Sequence, residues 1–67
     1  MTFSGNNMDV VQFVAALLMY LRNDLQSITI ITRGASEEFC VTVAINSSLE
    51  NNVKRLAHTY SLQLMNI

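Results

Sequence analysis

Cys40 and His58 are the one cysteine and the one histidine of this chain, and they are where nucleophile and base chemistry would have to begin. A thiol beside an imidazole makes a nucleophile–base pair, but the imidazole needs a third group to orient it, and no such residue can be named here. Cys40 alternates with Thr42 and Ala44 along an extended run, where a cysteine behaves as a small buried hydrophobe. His58 falls on the polar side of a helix beside Lys54 and Arg55, as part of a solvated face. One cysteine excludes an intramolecular disulfide, and a structural zinc site takes about four Cys or His ligands, which this pair does not supply. Glu37 and Glu38 are adjacent, and neighbours in extended chain point to opposite faces, so they do not read as a catalytic carboxylate pair. Gly34 stands without the glycine-rich run and following Lys-Ser/Thr of a phosphate loop. Arg33, Lys54, Arg55 and His58 read as scattered solubilising charge, with a modest basic patch as the alternative. The expectation is a protein that is not an enzyme, with no catalytic residue, no metal and no cofactor.

Composition sets the next bounds. Sixty-seven residues allow one small domain, 1–67, with little core to spare. Half the residues are hydrophobic (51%), 13% are charged and proline is absent, the reverse of a disordered segment. The formal net charge of −1 argues against a nucleic-acid partner. The apolar run from Phe13 to Leu21 is well short of the roughly 20 residues that span a bilayer, and the amino terminus lacks a signal-peptide pattern. The expectation is a cytoplasmic protein with no membrane partner, in keeping with a reduced Cys40.

The elements that must position any surface follow from periodicity. Met1 to Ser4 reads as a very short strand or none, and Gly5-Asn6-Asn7 as a turn or loop whose last residue suits a helix N-cap, with Asp9 favourable in the first turn. A helix is predicted from about Met8 to Arg22. Gln26 to Arg33 reads as a strand, and Phe39, Val41, Val43 and Ile45 alternate strictly with Cys40, Thr42 and Ala44. With Gly34-Ala35-Ser36-Glu37 as the turn between them, the two runs predict an antiparallel hairpin over residues 26–46. Ser47 and Glu50 have capping-box spacing, and Leu49, Val53, Leu56, Ala57 and Tyr60 form the inward stripe of a second helix. Residues 61–67 read as a terminal strand, although the stripe could continue through Leu64.

This order predicts an α+β fold: a small two-layer αβ sandwich of ferredoxin-like (β)αββαβ type, its first strand very short or absent. If that strand is missing, the remaining three strands leave an unprotected edge open to another chain. From Val10 to Ile67 the chain resembles the ACT family of small regulatory domains. The likeness is carried by the helix ending in Leu21-Arg22, by Ser27-Ile28-Thr29-Ile30 with Cys40-Val41-Thr42-Val43, and by Val53-Lys54-Arg55-Leu56. That resemblance implies small-metabolite sensing, such as of an amino acid, with Gly5, Asn6 and Asn7 as the ligand loop.

The first helix is the most informative element for function. Val10, Val14, Leu17, Leu18 and Leu21 make a coherent inward stripe. The opposite face collects Asp9, Gln12, Phe13, Ala16, Met19, Tyr20 and Asn23, and its Gln12, Phe13, Ala16, Met19 and Tyr20 make an aromatic- and methionine-rich surface with polar margins, which is what protein interfaces enrich. Such a patch is either covered by the chain's own termini, tolerated as a greasy surface, or met by a partner. The expectation is a small interaction or regulatory module, working as a homodimer or other homo-oligomer, or bound to a larger protein whose activity it modulates.

Overall fold

The computed structural model describes residues 1–32 and 38–65. Arg33, the expected Gly34-Ala35-Ser36-Glu37 turn and residues 66–67 of the expected terminal strand lie outside the described residues. The chain is a mixed α+β globule of four antiparallel strands in one open sheet, with two helices against one face. Strand β1 covers Thr2–Asn6, helix α1 Asn7–Tyr20, β2 Leu25–Thr32, β3 Glu38–Ile45, α2 Glu50–Thr59 and β4 Gln63–Met65. Single 3₁₀ turns, Arg22–Asp24 and Ser47–Leu49, lead out of α1 and into α2. The sheet order is β2-β3-β1-β4, and every neighbouring pair is antiparallel.

The first strand corrects the expectation of a vestigial or missing element. β1 runs through Asn6 and is central, pairing Phe3 with Val41 on one side and with Leu64 on the other. Gly5 and Asn6 read as turn chemistry by residue type, yet both extend the ladder with β3, Gly5 opposite Phe39 and Asn6 opposite Glu38, and pairing overrides propensity. Gly5 also has a packing role, since a Cβ there would overlap Leu62 Cδ2 from the α2–β4 connection. Among the described residues the edges of the sheet are therefore β2 and β4, not a hairpin flank left bare by a missing strand.

The register fixes which side chains meet the helices. Ile28, Val43 and Leu25, Ile45 pair along β2 and β3, and Val41 continues the row to Phe3. Onto it pack Val10, Phe13 and Leu17 of α1 and Val53 and Ala57 of α2, with Leu62 closing one end. The α2 stripe is as expected: Val53 and Ala57 are buried, with Leu49, Leu56 and Tyr60 half-buried against the core. The other sheet face is open and carries Thr29 opposite Thr42, Ile31 opposite Cys40 and Thr2 opposite Met65.

Helix ends show where local chemistry was misplaced by one residue. Asn6, not Asn7, caps α1, its Oδ1 accepting from the Asp9 amide at 2.8 Å. At the second helix the Ser47–Glu50 capping box does not form. Asn46 Oδ1 instead accepts from the Ser48 amide at 3.2 Å and the Ser48 hydroxyl at 3.3 Å. The α2 terminus is closed by Ser61, held at φ 62° in the left-handed region. Its amide donates to His58 O at 3.0 Å and the Leu62 amide to Ala57 O at 2.9 Å, the paired bonds of a Schellman motif that turns the chain into β4.

Candidate interaction surface

Helix α1 positions the surface of interest, so its rotation matters most. Its buried residues are Val10, Phe13, Ala16 and Leu17, with Val14 half-buried. The buried stripe is thus turned toward Phe13 and away from Leu18, which is exposed. Two expectations are corrected here. Phe13 is 0% exposed and cannot be a partner-facing side chain, and Leu18 is not part of the inward stripe. The reason is Phe3: the central strand places an aromatic ring beneath the helix, and Phe13 meets it edge-to-face with centroids 5.4 Å apart. Ala16 is also buried, on the flank facing α2.

The remaining members of the expected surface do come together. Gln12, Ala15, Ala16, Met19 and Tyr20 line an open groove of about 440 Å³ whose far wall is Tyr60 at the end of α2. Met19 is 73% exposed and Tyr20 70%. Around the helix from them, Met8, Val11 and Leu18 are exposed as well. Asp9 is the one charged residue of the helix. Sequence reasoning missed Met8, Val11 and Leu18, and it gave Tyr60 to the core without seeing that it borders a groove. A signal was present: a helix apolar all round must leave large side chains uncovered when only one face meets a sheet.

The chemistry-bearing residues are dispersed. Cys40 lies on the open sheet face, buried, its thiol donating to Met65 Sδ at 3.8 Å. His58 is on α2, against the opposite face, and exposed. The sheet separates them, so they form no nucleophile–base pair. Among the described residues no group of three His, Cys, Asp or Glu is placed to hold a metal ion. Glu38 is exposed at the start of β3, and Lys54 and Arg55 are exposed on α2, while Arg33 and Glu37 fall outside the described residues.

The expected ligand loop is not a loop. Gly5 and Asn6 belong to β1 and Asn7 begins α1, so strand passes straight into helix. The Asn6 side chain is engaged as the cap, and Gly5 lies against Leu62. No described helix is long and apolar enough to cross a membrane. Comparison of the chain with protein-family models, with curated proteins and with solved structures gave no match.

Proposed function

We propose that this chain is a small non-catalytic interaction or regulatory module, acting as a homo-oligomer or as a modulator bound to a larger protein. The observation that carries the reading is the outer surface of α1, on which Met8, Val11, Leu18, Met19 and Tyr20 are exposed along a helix with a single charge. Contiguous apolar surface of this kind, rich in methionine and aromatic residues and bordered by polar ones, marks a site that another surface covers. Size supports the same view, because a domain this small gains stability from association that its own core cannot supply.

The sheet order β2-β3-β1-β4, with both helices on one face, supports reading the fold as ferredoxin-like, and the ACT-like kinship rests on that likeness. Metabolite sensing draws no support from residues 5–7, whose polar and packing capacity is used within the fold. A cytoplasmic setting suits the free, buried Cys40, and a protein partner rather than nucleic acid suits the net charge of −1.

The test is the mass of the complex isolated from the native cell through an affinity tag. The reading expects a mass above 7.5 kDa that falls when Met19→Lys and Tyr20→Asp are introduced together. A chain recovered alone, whatever its α1 surface carries, would contradict it.

A further inference from the structure

We infer that the helical layer docks one amphipathic helix of a larger protein, its apolar stripe laid along α1 and a row of carboxylates turned toward α2. This rests on the interaction reading above and names the chemistry of the partner.

α1 supplies the apolar half. At 100° per residue Val10, Phe13 and Leu17 point into the core, while Met8, Val11, Ala15 and Leu18 fall on the far side and are exposed. Steps of three, four and three between them are the spacing of a coiled-coil seam, a straight apolar line onto which a second helix packs knobs-into-holes. Gln12 and Met19 flank the seam on the side toward α2, where with Ala15, Ala16, Tyr20 and Tyr60 they line the groove of about 440 Å³. Two alanines keep the floor of that groove low, so it admits a large side chain of the incoming helix.

α2 supplies the charged half. Its buried Val53 and Ala57 turn Arg55 and His58 to the outward pole, with Lys54 beside them, and all three are exposed. The carboxylates of the described residues lie elsewhere. Asp9 and Glu50 are half-buried in the first turns of the two helices, Asp24 is at the exit of α1, and Glu38 shares the open sheet face with Cys40. A chain of net charge −1 therefore presents a basic band directly beside an apolar one. Neighbouring helices sit about 8–10 Å apart, so a helix seated on the seam holds its flanking side chains over Lys54 and Arg55. Glutamate or aspartate on that flank is attracted, and lysine is repelled.

Charge and shape select this occupant over two others. A second copy offers the same seam, but the outward line of its α1 carries no carboxylate, so the basic band stays uncompensated. An anionic bilayer offers apolar and acidic chemistry but is flat, whereas the hollow between α1 and Tyr60 suits a projecting side chain. Area sets the strength. The 14 residues of α1 make a seam about 21 Å long under a helix about 10 Å wide. Each partner then buries on the order of 500 Å², at the transient end of specific interfaces.

The test uses the full chain and two synthetic peptides with leucine at every a and d position of the heptad, one with glutamate at every e and g position and the other with lysine there. Like charges at e and g keep each peptide from pairing with itself. Fluorescence anisotropy should show the glutamate peptide binding about tenfold more tightly than the lysine peptide, and raised salt should shrink that ratio. Lys54→Glu with Arg55→Glu should reverse the preference, and Leu18→Gln should weaken both peptides several-fold with unchanged circular dichroism. If the charge-reversed chain fails to fold, the peptide ratio and its salt dependence in the unsubstituted chain decide alone. Equal binding of the two peptides, a preference that survives the charge reversal, or binding that Leu18→Gln leaves intact would overturn the inference. Uptake by mixed phosphatidylglycerol–phosphatidylcholine vesicles without binding of the glutamate peptide overturns it in favour of a membrane. If neither peptide binds, the acidic-helix partner is overturned, while protection of Met19 in the native complex leaves the interaction reading standing.

Discussion

Phe3 and Phe13 meet edge-to-face at the centre of the molecule, ring centroids 5.4 Å apart and planes inclined at 64°. Both are fully buried, so one contact ties the central strand to the first helix and sets the rotation of α1. It thereby decides which side chains of that helix reach solvent.

Phe13→Ala is expected to cost about 3–5 kcal/mol, the range for removing a buried aromatic side chain, and in a domain this small that approaches the whole stability. Met19→Ala, on the exposed side of the same helix, should fall within about 0.5 kcal/mol of the parent. Urea unfolding of the two variants compares them directly. Equal midpoints would mean that α1 is rotated as the apolar pattern alone suggested.

That rotation could not be read from the sequence, for a physical reason. α1 carries large apolar residues on nearly every face, so its polarity contrast is too weak to orient it, and the ring that orients it belongs to a strand disguised by Ser4-Gly5-Asn6. β3 and α2 were legible because each alternates apolar and polar residues at its own period: Phe39, Val41, Val43 and Ile45 in one, Val53 and Ala57 in the other. Composition alone points to Gln12, Ala16, Met19 and Tyr20, which line the groove, but it groups Phe13 with them because nothing in the residue pattern marks Phe3 as the core ring that buries it.

Gly5→Ala places a methyl group against Leu62, which is itself buried, and should destabilise by about 1–3 kcal/mol through overpacking. Leu62→Ala makes the space at the cost of a cavity. The double variant should therefore lose less than the sum of the two single losses, a coupling readable in a double-mutant cycle. Strict additivity would show that the two residues do not press on one another.

Ser61→Gly should stabilise the chain by about 0.5–1 kcal/mol. Ser61 sits at φ 62°, a conformation glycine adopts without the Cβ penalty, and both bonds of the helix terminus use backbone groups that glycine retains. Thermal unfolding checks it: a rise of several degrees is expected for a domain of this size, and a fall would mean that the Ser61 side chain contributes to the turn.

The caps discriminate between neighbouring residues. Asn6→Ala should cost about 0.5–2 kcal/mol because the Asp9 amide loses its acceptor, whereas Asn7→Ala, which replaces an exposed residue of the first turn, should be close to neutral. Asn46→Ala should likewise exceed Ser47→Ala, since Asn46 holds the Ser48 amide and hydroxyl. Denaturant midpoints of the four single variants supply the ranking, and a larger loss at Asn7 or Ser47 would reverse the assignment.

The central claim is that another protein surface covers the outside of α1, and hydroxyl-radical footprinting of Met8, Met19 and Tyr20 tests it without knowledge of the partner. In the isolated folded chain at low concentration these exposed side chains should oxidise readily. In the complex captured from the native cell, Met19 and Tyr20 should oxidise several-fold more slowly. Equal oxidation of Met19 and Tyr20 in both samples would contradict the account.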